Sequence, residues 1–142
     1  MTGYVATAQT DISASPARVW EALTDPEQIK EYMFGSVVET DWQPGSPITW
    51  NGEWQGKTYQ DKGEILAAEP GRRLKVTHYS PLTGQPDVPE NYHTVTYELS
   101  ERGDGTHVEL NQDNAGSEDE AEHSSAMWQQ MLDGLKKQVE AS

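Results

Sequence analysis

The spacing of apolar residues changes along this chain, and each change predicts a different kind of element. Thr2 to Ile12 alternates loosely, with Tyr4, Ala6 and Ala8 on one side and Val5, Thr7 and Gln9 on the other, which predicts a first strand. Ser15-Pro16 then predicts a helix start: the hydroxyl caps free amides, and proline at the first helical position lacks the N–H that would go unpaired. Val19, Trp20 and Leu23 form the buried stripe of this short helix. Asp25-Pro26 repeats the signal, with Gln28 at the capping-box position and Ile29, Tyr32 and Met33 as the apolar face of a second short helix.

From Phe34 onward the period is that of strands joined by turn residues. Ser36 to Trp42 ends at the Pro44-Gly45-Ser46-Pro47 turn, and Ile48 to Trp54 places Ile48, Trp50, Gly52 and Trp54 on one face. Tyr59 to Ala68 follows the Gln55-Gly56-Lys57 turn, and after Glu69-Pro70-Gly71 a further strand carries Leu74, Val76 and His78 together. Ser80 to Glu90 holds Pro81, Gly84, Pro86 and Pro89, so it reads as a long, stiffened loop. Asn91 to Ser100 aligns His93, Val95, Tyr97 and Leu99, and Thr106 to Asn111 leads its apolar side from Val108 and Leu110 to Gln112 across the Gly103-Asp104-Gly105 hairpin.

The last stretch, Ser117 to Val139, returns to three-to-four spacing through Ala121, Ala126, Met127, Trp128, Met131, Leu132, Leu135 and Val139. Ser117 caps it, Glu118, Asp119, Glu120 and Glu122 crowd the positive end of its dipole, and Lys136 and Lys137 occupy the last turn. One long helix after many strands predicts the α+β class, with an antiparallel meander of about six or seven strands curling around that helix in one domain over residues 1–142. The space between helix and sheet is then the place to look for function.

Composition narrows the classes. With 24 acidic against 10 basic residues, the surface repels a phosphate backbone, so nucleic acid is not an expected partner. The absence of cysteine excludes disulfides, thiol nucleophiles and thiolate metal sites. No run approaches the ~20 apolar residues of a membrane span, and Met1 to Asp11 lacks a basic flank followed by an apolar core. A soluble cytoplasmic protein without membrane insertion is the expectation.

Candidate chemistry concentrates on the histidines. If the strands bearing His78 and His93 pair across the proline-rich loop, both imidazoles point inward at one end of the sheet, and Gln112 joins them from the next strand. His123, early in the closing helix, would lie above the same end. No His-x-x-x-His pair or similar close spacing exists, so a structural role, with hydrogen bonds to loop carbonyls or Gln112, or ligand contact is favoured over metal ligation, and no cofactor is implied. Nothing in the spacing identifies a nucleophile beside a base, so no catalytic residue is assigned. Trp50 and Trp54 read as walls of an aromatic pocket or as ordinary sheet-on-helix packing.

The run Ser15 to Pro26, the stretch through Trp42-Gln43-Pro44-Gly45 and Gly56-Lys57, the turn Glu69-Pro70-Gly71-Arg72-Arg73-Leu74 and the tail from Met127-Trp128 to Leu132-Asp133-Gly134-Leu135 resemble the START-like (SRPBCC) superfamily. Within it the chain resembles the C-terminal domain of the activator of the ninety-kilodalton heat-shock chaperone ATPase. That resemblance implies a helix-grip fold whose cavity, in relatives, holds lipids, polyketides or aromatics. It implies nothing firm about activity, because the matching residues are caps, turns and core positions.

Together these readings predict non-enzymatic binding of a small hydrophobic molecule, with the cavity lined by Trp50, Trp54, His78, His93, Tyr97, Gln112, Met127 and Met131. The Ser80 to Glu90 loop is expected to act as its adjustable mouth. The alternative is a protein-interaction module of the chaperone-regulating type with a protein partner, and a cyclase or hydrolase using the histidine end ranks last.

Overall fold

The computed structural model describes residues 4–33, 35–54, 56–80 and 84–141, leaving out the side chain of Trp54. β1 (Tyr4–Ile12) leads into α1 (Pro16–Thr24) and α2 (Pro26–Tyr32). Six strands follow: β2 (Val37–Glu39), β3 (Pro47–Trp54), β4 (Lys57–Glu69), β5 (Arg73–His78), β6 (His93–Arg102) and β7 (Gly105–Ala115). α3 (Glu118–Glu140) closes the chain. One antiparallel sheet in the order β1-β7-β6-β5-β4-β3-β2 contains all seven strands, so β2 to β7 form the expected meander and β1 pairs with the last of them. This is the curved-sheet, helix-grip α+β architecture.

The caps act as the sequence predicts, with one difference. Ser15 Oγ accepts from the Arg18 amide at 3.3 Å with Pro16 first in α1, and Asp25 Oδ1 accepts from the Glu27 amide at 3.1 Å. Gln28 donates to the Asp25 carboxylate at 2.9 Å rather than reaching back to a backbone N–H, so the capping box closes through side chains. Between β6 and β7 the connection is only Gly103-Asp104, and Gly103 takes the positive φ of 61° that so tight a turn requires.

Burial follows the alternation. Ile12, Val19, Ile48, Ile65, Val108, Leu110, Leu132 and Leu135 are almost inaccessible, and burying each such side chain contributes about 1.5–3 kcal/mol. Trp20 is only partly buried at the edge of this cluster, and Ala126 and Met127 are exposed, so the stripe on α3 is narrower at its N-terminal half than expected. The strand expected over Ser36 to Trp42 is reduced to β2. Asp41 Oδ1 accepts from the Gln43 amide at 3.0 Å and Trp42 adopts a φ of 60°, and this side-chain turn draws the chain out of the sheet.

α3 packs chiefly along β1, and its polar flank continues that strand's hydrogen bonding. Thr7 N donates to Ser125 Oγ at 3.0 Å, Gln129 accepts from Gln9 N at 3.3 Å and donates to Gln9 O at 3.0 Å, and Lys136 Nζ donates to Asp11 O at 2.6 Å. Just past the strand, Ser13 N donates to Glu140 at 2.9 Å. Outward backbone groups on β1 recur every second residue, and the four side chains that meet them recur roughly every one or two turns of the helix.

Candidate functional site

Because α3 leans on the β1 side of the sheet, its N-terminal half leaves space above β3 to β7. A cavity of about 320 Å³ occupies that space. Trp50, His78, His93, Tyr97, Gln112, Met127 and Met131 all line it, while the side chain of Trp54 lies outside the described residues. His78 and His93 are direct cross-strand partners, and Gln112 pairs with Val95 on the neighbouring strand. His123 does not join them. It is exposed, because on α3 the residues facing the cavity are Glu120, Ser124, Met127, Trp128 and Met131, and His123 lies one turn before Met127, beyond that already exposed rim.

Several polar side chains at the site have definite partners. His78 Nε2 lies 2.9 Å from Asp61 Oδ2, and the His78 ring meets Trp50 edge to face with centroids 5.0 Å apart. His93 Nδ1 lies 2.9 Å from the carbonyl of Asp113, which fixes the other imidazole to the end of β7. Gln112 is buried and accepts from the indole N–H of Trp128, so the helix is clamped to the sheet across the cavity. Tyr97 is buried among the apolar wall, and that burial holds its phenol well above the ordinary 10.0.

Lining residues absent from the sequence-based set include Met33, Ser36, Tyr59 and Asp61. Ser36 Oγ and Tyr59 Oη are 3.1 Å apart, and Tyr59 enters because a Cβ at the facing Gly52 would lie 2.5 Å from its hydroxyl, a space only glycine leaves. Counting back by twos from the buried Ile65 brings Gly63, Asp61 and Tyr59 to the same face, so the signal is present in the alternation. Met33, read in the sequence as part of the apolar face of the second short helix, caps the end of α2, and Ser36 comes from the connection after it, where no periodicity marks it. Asp61 Oδ1 is buried without a hydrogen-bond partner among the described residues, although Oδ2 is engaged by His78.

Among the described residues, the loop beyond β5 is not part of the wall. Over its described residues, 84–92, it contributes no lining residue and is held in place: Tyr79 stacks on Tyr92 and donates to the Gln85 carbonyl at 2.6 Å, Tyr92 donates to Asp87 at 2.6 Å, and Lys62 pairs with Asp87. A 3-10 turn at Pro89–Asn91 shortens it further. Among the described residues there is no group of three or more histidine, aspartate or glutamate side chains that could hold a metal ion, and no helix is long and apolar enough to cross a membrane.

Comparison with known proteins agrees with this geometry at the level of the fold. The solution structure of ChR145 from Cytophaga hutchinsonii is 51% identical, with a TM-score of 0.86 over 99% of this chain and 97% of that one. The solution structure of the Aha1 dimer from Colwellia psychrerythraea is 19% identical, with a TM-score of 0.74 over 96% of each chain. DynU16, from the dynemicin biosynthetic locus, is 18% identical with a TM-score of 0.79, covering 96% of this chain and 47% of that one. No curated protein sequence matches. Residues 13–140 match the family model described as Activator of Hsp90 ATPase homolog 1-like protein, and the chain belongs to that family.

Proposed function

We propose that this protein binds a small hydrophobic molecule, of lipid, polyketide or aromatic type, in the cavity between α3 and the sheet, and does not transform it. The carrying observation is the cavity itself: about 320 Å³ of space, walled mainly by apolar groups, with a few fixed polar ones. Interiors selected for stability alone are filled to crystal-like density, and a void this large forfeits dispersion contacts along its whole lining. Its size is at the lower end of small-molecule pockets, matching a ligand of two or three rings or a short chain. The similarity in fold to a protein of a natural-product biosynthetic locus supports a small-molecule role. A carrier or sensor in the cytoplasm is the setting this reading gives.

The family description favours a second reading, a module that binds a chaperone through its outer surface. Native mass spectrometry separates the two. Protein purified without denaturant should carry a small molecule at one-to-one stoichiometry, released on unfolding, and Met131→Trp, which fills the cavity, should abolish the adduct while leaving the fold intact by circular dichroism. Unliganded protein from every preparation, together with no binding of an environment-sensitive apolar dye, would refute the cavity reading and leave the surface reading in first place.

A further inference from the structure

The pairing of Asp61 with His78 sets the chemistry that this cavity accepts, an inference that rests on the cavity-binding reading above. Asp61 crosses from Trp50 in the β3–β4 ladder, and its carboxylate enters the cavity wall with Oδ2 held by His78 at 2.9 Å. Oδ1 is buried and has no partner among the described residues. A buried acceptor left unpaired is costly, and the cost is larger for a charged group, so Oδ1 is an unsatisfied acceptor on a residue that lines the cavity. The other charged group on the wall is also an acid, Glu120, which accepts from the Gly116 amide at the start of α3. Neither lysine nor arginine lines the cavity, and none of the residues left undescribed is a lysine or arginine.

We infer that the cavity selects an apolar molecule carrying a hydrogen-bond donor, and among donors a protonated amine, which sits on Asp61 Oδ1; a ligand with an anionic head group is excluded. Asp61 is then the ligand-recognising residue and His78 the residue that positions it. The amine meets an acceptor that is already desolvated and oriented by His78, so the ligand is spared the reorganisation a flexible surface carboxylate would need. A carboxylate head group in the same place faces two protein carboxylates with no lysine or arginine on the wall to offset them. An aliphatic alcohol satisfies Oδ1 as a neutral donor and ranks between the two.

The test is a matched trio sharing one apolar body: phenylhexylamine, phenylhexanol and phenylhexanoate, titrated into wild type and Asp61→Asn at neutral pH by calorimetry and by the fluorescence of Trp50 and Trp128. In wild type the amine should bind at least tenfold more tightly than the alcohol, and the carboxylate should bind weakest. Asp61→Asn should lose at least tenfold for the amine, about 1.4 kcal/mol by the standard conversion, and gain for the carboxylate. Equal affinity of all three for wild type overturns the donor assignment while leaving the cavity reading standing. No binding of any of them, with the dye also excluded, removes both. The wild-type ranking is decisive even if Asp61→Asn fails to fold.

Discussion

Truncation of two neighbouring side chains on α3 separates packed core from cavity wall. Leu135 is fully buried in the cluster that joins α3 to the sheet, and Met131, one turn earlier, is nearly as inaccessible to solvent but faces the cavity. Leu135→Ala removes three carbons, a transfer loss of about 2.4 kcal/mol at 0.8 kcal/mol each, and the hydrogen-bonded sheet beneath limits collapse into the hole, which brings the cost to about 3–4 kcal/mol. Met131 already lacks neighbours on its cavity side, so its truncation forfeits fewer contacts and should cost about 2 kcal/mol. Urea denaturation followed by tryptophan fluorescence measures both. At about 2 kcal/mol per molar for a chain of this length, the Leu135→Ala midpoint falls by roughly 1.5–2 M and that of Met131→Ala by about 1 M, with the slope unchanged. A Leu135→Ala shift below about 0.3 M would place that residue at the surface and refute the grip packing. An equal or larger loss at Met131 would mean that the cavity is filled.

Two further expectations concern strand packing and pH. A Cβ at Gly63 would lie 1.8 Å from the carbonyl oxygen of Thr77, backbone against backbone, so Gly63→Ala should cost about 3 kcal/mol or more and lower Tm by roughly 10 °C in calorimetry, whereas an unchanged Tm would show that β4 and β5 are not in this close approach. Burial raises the phenols of Tyr97 and Tyr32 well above the ordinary 10.0, so above pH 10 the unfolded chain releases protons that the folded chain keeps, and stability falls by about 1.4 kcal/mol per pH unit for each group. Tyr97→Phe should make that alkaline decline shallower by one such increment in urea titrations from pH 10 upward, and an identical slope would refute the buried assignment.

Most of the fold is legible in the sequence because its determinants are local: serine and aspartate before proline, glycine at tight turns, and two clean periods of apolar residues. The strand expected over Ser36 to Trp42 shortens to β2 because Asp41 and Trp42 compete with the sheet through a side-chain turn that alternation does not register. At the site, His78, His93 and Gln112 are found by counting along strands whose apolar residues fix the inward face. Asp61 and Tyr59 are missed because the first half of β4, from Lys57 to Glu64, is so polar that its inward face is defined only by distant Ile65 and by the glycine opposite Tyr59. Met33 is legible as an apolar position of the second short helix, but its place in the wall, like that of Ser36, depends on how α2 is docked, a tertiary fact.

The bonds between α3 and β1 also govern how the protein behaves toward its own copies. An open sheet has two edges, each a template on which another chain can grow. Here one template is occupied along its length by Ser125, Gln129, Lys136 and Glu140, and the other is β2, only three residues long. Any opening that swings α3 off β1 would therefore bare the longer template at the moment the cavity is exposed, coupling ligand exchange by that route to a risk of strand-swapped association. Entry past the exposed Met127 rim, with the helix left in place, carries no such hazard.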